Sequence, residues 1–270
     1  ASVPRAVPPR KVVAGRQGGR MMQQRAVVAV ASGRADFELG RTNNFEEIQR
    51  KGEGEDGLVG VVGFGSLLSE KSAASTFSSV HRFRLGRVTN YRRIFSHVAP
   101  IFLERGIARV ETKEMASLSV EPGTEKDSIV VSLFDIDVGD VAAFIAREEE
   151  YRFMAVQPDE LDGTPGEHHH VMCLASCDED FIANYGQERY DERYGKYGIE
   201  RVWDDALLPC PVYLRHCVLA AEKMGTEAYD SFLDSTYLAD RATTIRSYLD
   251  KRPDILDSLP PEHLRERYGG

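Results

Sequence analysis

Cysteine and long apolar runs are both scarce in this 270-residue chain. The four cysteines, with spacings C-x3-C and C-x6-C, match no common zinc or redox motif; they are Cys173, Cys177, Cys210 and Cys217. We therefore expect reduced, mostly buried thiols. No apolar run is long enough to cross a bilayer, which predicts a soluble protein without a membrane partner.

Acidic residues are absent from residues 1–35, although the whole chain carries a formal net charge of −9. An acid-free, arginine-rich segment is typical of an organellar transit sequence, which predicts a plastid (chloroplast) or mitochondrial location. The alternative is a disordered basic arm on a cytoplasmic protein. On either interpretation we place residues 1–40 outside the fold, as a segment that is disordered or removed.

A second acid-free stretch covers residues 71–103 and carries several arginines. Such a surface could attract an anionic peptide or bind RNA. The negative net charge and the lack of a stacking-aromatic RNA motif argue against nucleic acid. We therefore expect a solvated strand face and no nucleic-acid partner.

The folded part is predicted to follow a polar, glycine-rich linker at residues 41–57. Residues 58–177 contain several strand-like segments and one short helix, in an order that is not a βαβ repeat. Residues 178–270 show helical spacing. We therefore predict an α+β fold: a mixed β-barrel with packed helices, followed by a helical C-terminal extension that packs on the barrel.

Two glycines follow the apolar strand LVGVV in the segment GFGSLL, residues 63–68. The segment lacks the Gly-Lys-Ser/Thr of a P-loop, the third glycine of a dinucleotide fingerprint and the pattern of a nucleophile elbow. What remains is a turn that exposes the amides of Gly65, Ser66 and Leu67, which could bind a carboxylate or a developing oxyanion. The alternative is a tight barrel corner that binds nothing.

Three consecutive glutamates end the short predicted helix in FIAREEEY, residues 144–151. Phe144 and Glu148 share a helix face, so Glu148 is drawn toward the interior. Burial would raise its pKa and suit it to proton transfer near neutral pH. Glu149 is expected to face solvent. The alternative is a charged helix end without a chemical role.

These stretches, in this order, resemble the gamma-glutamylcyclotransferase-like family over roughly residues 58–177. The family's Tyr-Gly-Ser motif corresponds to Phe64-Gly65-Ser66-Leu67, its essential Glu to Arg147-Glu148 with Tyr151 beyond it, and its Tyr-Arg-Arg-x-Phe strand to residues 91–95. Two positions depart from the family: Phe64 replaces a tyrosine, and no glycine follows Glu148, which leaves Glu150 as an alternative base. The segments FLDSTYLADR and RERYGG are similar to those of a plant or algal branch of this family.

The resemblance implies an enzyme in which the α-amine of a γ-glutamyl group attacks its own side-chain carbonyl, releasing 5-oxoproline and an amine or peptide. It implies Glu148 as the proton shuttle, the Gly65–Leu67 amides as anion donors, and Phe64 and Tyr151 as side chains that close the pocket. No metal or cofactor is implied, and the partner is a small γ-glutamyl or other anionic ligand. Oligomeric state stays open.

Two alternatives from other classes also stay open. One is a non-catalytic barrel that binds an anionic small molecule. The other is a plastid interaction protein that presents its basic strand and a tyrosine-rich helix to a partner. An open cavity with Glu148 pointing into it over the Gly65–Leu67 amides favours the enzyme. An open cavity with Glu148 pointing out, or ion-paired with Arg147 or Arg152, favours the binding protein. A pocket filled by side chains favours the interaction protein.

Two further clusters are interpreted as structural. The run Glu167-His168-His169-His170 suggests zinc, but on a strand His168 and His170 share one face and Cys173 lies on the other. We therefore expect a surface loop that leads into a strand, without metal. Four tyrosines in NYGQERYDERYGKYG are expected to pack or to form an interaction surface; they are Tyr185, Tyr190, Tyr194 and Tyr197.

Overall fold

The computed structural model describes residues 36–40, 45–51 and 57–269. The predictions for residues 1–35, including the organellar location, lie outside the described residues and stay predictions. The strands are β1 Phe37–Leu39, β2 Gln49–Lys51, β3 Gly57–Gly63, β4 His81–Thr89, β5 Tyr91–Val98, β6 Glu114–Pro122, β7 Ser128–Asp137, β8 Arg152–Val156, β9 Asp159–Glu160, β10 His170–Leu174, β11 Leu208–Pro209 and β12 Thr236–Leu238.

Helices alternate with these strands in the first half of the described chain and dominate its last third. They are α1 Glu70–Ala74, α2 Pro100–Glu104, α3 Val141–Arg147, α4 Asp178–Tyr185, α5 Gln187–Arg193, α6 Pro211–Lys223, α7 Thr226–Asp234, α8 Ile245–Lys251 and α9 Arg265–Tyr268. Short 3₁₀ turns connect several of them, and the one at Ser66–Leu68 follows β3 directly.

A mixed sheet forms the centre of the fold, with the strand order β12-β5-β6-β10-β3-β7-β4-β9. Strand β7, SIVVSLFDID, is buried along almost its whole length and pairs antiparallel with both β3 and β4. A continuous run of β-branched and apolar residues suits such a strand because both of its faces are covered. The predicted α+β class is confirmed.

The sheet divides at β10. Val171 pairs in parallel with Val61 of β3, and Leu174, further along the same edge, pairs in parallel with Val120 of β6. Strands β3 and β6 therefore separate at this point. The pairings among the described strands run from β12 to β9 without a pair that joins these ends, so the closed barrel stays a prediction.

The predicted boundaries at the N-terminal side need correction. Strand β1 lies within the segment placed outside the fold, yet it pairs antiparallel with β8. Strand β2 lies in the predicted linker and pairs antiparallel with β3. The Tyr91 hydroxyl also donates to Asp36 at 2.9 Å. Backbone pairing thus incorporates these two short segments. The acid-free composition ends at residue 35, before β1, whereas the polar residues of β2 are typical of a linker.

The C-terminal third is mainly helical, as predicted, but it also contains two short strands, of which β11 pairs in parallel with β6. Helix α6 is its most buried element, and α7 packs against it. After α7, however, Thr236–Leu238 forms β12, which pairs in parallel with β5. The helical prediction for residues 236–238 is wrong. The apolar residues at 232, 233 and 238 match a helical period, but the backbone of this segment forms its hydrogen bonds with β5, a strand that is distant in sequence.

The described residues contain no helix that is both long enough and apolar enough to span a bilayer.

Candidate functional site

A cavity of about 530 Å³ lies where β3 and β6 separate. Val62 of β3, Leu118 of β6 and Cys173 of β10 all contribute to its wall. Every residue that the sequence nominated for the site also lines this cavity: Phe64, Gly65, Ser66, Leu67, Glu148, Glu150 and Tyr151. The sequence therefore identified a set of residues that the fold brings together, and their chemical roles stay predictions.

The Ser66–Leu68 turn, whose residues Ser66 and Leu67 line this cavity, leaves some backbone amides without an acceptor inside the turn. The first hydrogen bond of the turn runs from Leu68 N–H to the Gly65 carbonyl, at 3.0 Å. Amides that precede the first such bond have no acceptor within the turn. The Ser132 hydroxyl donates to the Leu67 carbonyl at 2.7 Å and so fixes the far side of the turn. That the Gly65, Ser66 and Leu67 amides bind a ligand stays a prediction.

The two glycines of GFGSLL are required by close approach of other atoms. A Cβ on Gly63 would lie 2.3 Å from the Ser132 hydroxyl oxygen, and a Cβ on Gly65 would lie 2.9 Å from the Tyr213 hydroxyl oxygen. Real Cβ atoms are essentially never that close to another heavy atom. Strand β3 therefore runs into two glycines so that the turn can pack directly against β7 and α6.

Gly65→Ala is expected to damage the site. The added methyl group would displace Tyr213 or shift the turn, since it would also lie 3.2 Å from Leu118. We expect the free energy of unfolding to fall by about 1–3 kcal/mol, which is typical of overpacking. Chemical denaturation measures it. Gly139→Ala is the matched control because its added Cβ meets nothing within 4 Å. Equal stability of the two variants would contradict the packing argument.

A fully buried arginine fixes the orientation of the Phe64 carbonyl, just before the turn. Arg93 of β5 donates from Nε to the Phe64 carbonyl at 2.8 Å, and its Nη atoms donate to the carbonyls of Val130 and Ser231. In a trans peptide the N–H points opposite to the C=O. Because the Phe64 carbonyl points at Arg93, the Gly65 N–H points away from it. Arg93 thus sets the orientation of the first exposed amide.

Glu148 terminates α3 and lines the cavity. Its N–H donates to the Phe144 carbonyl at 3.0 Å, and its side chain is 16% exposed. Burial raises the pKa of Glu148, which the nearby Arg147 and Arg267 oppose. Burial and then the Glu148 carboxylate raise the pKa of Tyr151, which lines the same cavity. An ion pair of 3.1 Å joins Glu148 to Arg147.

Glu149 is buried, and the prediction that it faces solvent is wrong. Its carboxylate pairs with Arg189 at 3.2 Å and with Arg193 at 2.8 Å. Both arginines come from α5, about 40 residues further along the chain. Helix α3 ends at Arg147, so helical spacing no longer applies beyond it, and the following turn directs Glu149 toward α5 instead of solvent.

Glu150, the alternative base, is held more tightly than Glu148. Arg193 donates to it at 3.4 Å and the Tyr194 hydroxyl donates at 3.2 Å. Burial raises the pKa of Glu150 from 4.5 to about 7, and the Glu148 and Glu149 carboxylates add to this shift. Glu150 therefore has a pKa suited to proton transfer, whereas Glu148 has fewer direct partners to compete with a ligand.

Glu150 also predicts how stability depends on pH. Because its pKa in the folded state, about 7, exceeds 4.5, the folded state binds this proton more tightly than the unfolded state does. Its contribution is fully present below about pH 4.5 and is lost as the pH rises through about 7. We expect the free energy of unfolding to fall over that window. Urea denaturation should show a flatter profile for Glu150→Gln but not for Glu188→Gln, an exposed control; equal slopes would contradict the assignment.

The aromatic rings of Tyr151 and His97 form another part of the cavity wall. The Tyr151 hydroxyl donates to the Leu118 carbonyl at 2.8 Å. Its ring meets the edge of His97, which stacks on Trp203 with centroids 4.7 Å apart. Burial lowers the pKa of His97 to about 3, so this imidazole is neutral at pH 7. The predicted role of Tyr151 in closing the pocket is compatible with this fixed position.

Sequence reasoning missed several cavity residues. Tyr213 and His216 of α6 are buried and line the cavity, as do His97 and arginines from four separate elements. His97 lies in β5, the strand whose residues 91–95 contributed to the family resemblance. That position was the one feature of the sequence that could have identified His97 as a cavity residue. Tyr213 and His216 lie in a helix whose apolar spacing indicates only packing.

The structure also places the histidine run at residues 168–170 and the tyrosine-rich segment, both of which the sequence analysis interpreted as structural. His170 begins β10 and is buried, and no group of three metal-ligating side chains occurs among the described residues. The four cysteines are free thiols. In the tyrosine-rich segment, Tyr194 is fully buried and Tyr190 donates to the Glu200 carbonyl, which supports packing over an interaction surface.

No known family model matches this chain, and no curated protein is significantly similar to it. Among solved structures, it is similar to one titled "Gamma-glutamyl cyclotransferase", with 10% identity and a TM-score of 0.36, over 53% of this chain and 88% of that chain. It is also similar to the crystal structure of an uncharacterized protein from Homo sapiens, with 12% identity, a TM-score of 0.36 and the same coverage. Both likenesses concern the fold alone.

Proposed function

We propose that this protein cyclises the γ-glutamyl group of a small substrate and releases 5-oxoproline and an amine or peptide. The observation that carries the proposal is that Glu148, with its raised pKa, and the Gly65–Leu67 turn line the same cavity. A carboxylate and a set of free amides, brought together from distant parts of the chain, are the two functions that such a cyclisation needs.

The reaction balances without an added reactant. The substrate's α-nitrogen attacks its γ-carbonyl carbon, a C–N bond forms to close the lactam, and the original amide C–N bond breaks. Glu148 accepts the proton that leaves the α-nitrogen and returns a proton to the departing amine. The Gly65, Ser66 and Leu67 amides bind the substrate carboxylate or the carbonyl oxyanion. The substrate supplies its own nucleophile, so the cavity chiefly holds it folded.

A release assay tests the proposal. Purified protein is incubated with γ-glutamyl amino acids, γ-glutamyl amines and glutathione, and 5-oxoproline is quantified by mass spectrometry. We expect release from at least one class of substrate. Absence of release from every substrate, with a correctly folded protein, would reject the enzyme and favour the second candidate.

The second candidate is a non-catalytic barrel that binds an anionic small molecule. The Glu148–Arg147 ion pair supports it, since a carboxylate held by a neighbouring arginine is a weaker base. Phe64 also supports it, because this side chain lacks the hydroxyl that the resemblance would expect. The open cavity of about 530 Å³ weighs against an interaction protein whose pocket is filled by side chains.

A further inference from the structure

The cavity holds more positive charge than its own carboxylates neutralise. Two of its arginines, Arg189 and Arg193, are occupied by Glu149, Glu150 and other glutamates on the protein. Glu148 alone is left to face the other three. The charged residues of the wall are Arg105, Arg147, Arg189, Arg193, Arg267, Glu148, Glu149 and Glu150.

The three remaining arginines converge from separate elements. Arg105 follows α2, Arg147 ends α3, and Arg267 lies in α9. The Arg105 guanidinium donates to the Tyr268 hydroxyl at 2.7 Å, so it reaches the residue next to Arg267. Among the ion pairs of the described residues, these three arginines meet only one carboxylate, that of Glu148.

The positive charges of this group repel one another. Burial, followed by the nearness of Arg147 and of Arg105, lowers the pKa of Arg267. Such an arrangement is unfavourable unless an anion offsets it. A carboxylate between these guanidiniums would accept charge-assisted hydrogen bonds and relieve the repulsion.

A buried histidine adds an unused polar atom to the same corner. His216 is 4% exposed, lines the cavity, and its ring lies 5.6 Å from that of Tyr268. Its Nδ1 has no hydrogen-bond partner among the described residues. Buried polar atoms are nearly always satisfied in folded proteins, and the described residues supply no partner for this one.

We propose that Arg105, Arg147 and Arg267 bind a carboxylate on the departing amine, which makes γ-glutamyl amino acids and peptides, rather than γ-glutamyl amines, the preferred substrates. This inference rests on the proposed function. In a departing α-amino acid, the carboxylate is two bonds from the nitrogen that must be protonated. The groups that handle them must therefore be neighbours, as Arg147 and Glu148 are at 3.1 Å.

The test uses two substrates that differ in one group. γ-Glutamylglycine carries the carboxylate, and γ-glutamylethylamide has a methyl group in its place. We expect wild-type kcat/KM to be about 10- to 100-fold higher for γ-glutamylglycine, the range that hydrogen bonds to a charged group supply. Arg267→Met and Arg147→Met should each reduce that ratio at least several-fold. Both arginines also lower the pKa of Glu148, which acts on both substrates, so the ratio of the two kcat/KM values is the readout and not the rate on either substrate alone.

Turnover of the ethylamide shows that each variant is folded. Arg201→Met is the matched control, since Arg201 is 72% exposed and not part of the cavity wall, and it should keep the wild-type ratio. An equal loss on both substrates, or no wild-type preference for γ-glutamylglycine, would overturn the subsite.

Calorimetric binding of the same two compounds separates this inference from the proposed function. If neither is turned over but γ-glutamylglycine binds and Arg267→Met abolishes that binding, the subsite stands and the cyclisation is rejected. If neither compound is turned over or bound, both proposals are rejected. If the two compounds are turned over with equal kcat/KM, the cyclisation stands and the subsite is rejected.

Discussion

Glu148→Gln is expected to lower kcat/KM for 5-oxoproline release by about 10²- to 10⁴-fold, the usual contribution of a general acid–base. The substitution keeps the size and polarity of the side chain and removes its ability to carry the proton. We expect little change in the free energy of unfolding. The side chain is half-buried with one ion-pair partner, and removing a charge whose burial raises its pKa also removes a desolvation cost.

Two neighbouring variants decide which glutamate is the base. Glu150→Gln should weaken activity far less, because Glu150 is held by Arg193 and Tyr194. Glu149→Gln should mainly reduce stability, since it leaves two buried contacts with Arg189 and Arg193 weakened. If Glu150→Gln abolishes release while Glu148→Gln does not, the base has been assigned two residues too early.

The pH dependence supplies a readout that a structural role would not change. A base with a raised pKa must lose its proton before it can accept one, so kcat/KM should rise with pH through that pKa. In Glu148→Gln the residual activity should lose this limb of the profile. Retention of the limb in Glu148→Gln, together with its loss in Glu150→Gln, would point to Glu150.

Local sequence patterns identified two stretches whose residues line the cavity. The glycines of GFGSLL predicted a turn that exposes amides, because a strand gains nothing from two glycines unless the backbone is approached closely. The spacing from Phe144 to Glu148 predicted an inward carboxylate, because both lie on one helix face. Each prediction depended on residues less than ten positions apart.

What the sequence could not supply was the set of partners from distant elements. Arg189 and Arg193 bury Glu149, and no local pattern around Glu149 contains that information. Tyr213 approaches Gly65 from α6, where helical spacing indicates packing but not the surface against which the helix packs. Strand β12 was missed for the same reason, since its hydrogen bonds come from β5. Tertiary pairing overrides local preference in each case.

Arg93→Met is expected to lower activity by about 10²- to 10³-fold, as loss of one oxyanion donor does. Arg93 is fully buried, and burial lowers its pKa to about 9, so it stays charged at neutral pH. Methionine fills a similar volume but donates nothing to the carbonyls of Phe64, Val130 and Ser231. The Phe64–Gly65 peptide would then be free to rotate, and the Gly65 N–H would no longer be held toward the cavity.

The effect on stability should be smaller than these three lost hydrogen bonds suggest. Leaving buried carbonyls unsatisfied costs roughly 1–3 kcal/mol each, but removing a buried charge offsets part of that loss. Arg92→Met is the matched control, since Arg92 lies on the same strand and pairs with Glu121 at 2.7 Å. Denaturation and kcat/KM are measured for both variants. If Arg93→Met retains the kcat/KM of Arg92→Met, the turn does not depend on Arg93, and the assignment of its amides to the substrate loses its structural support.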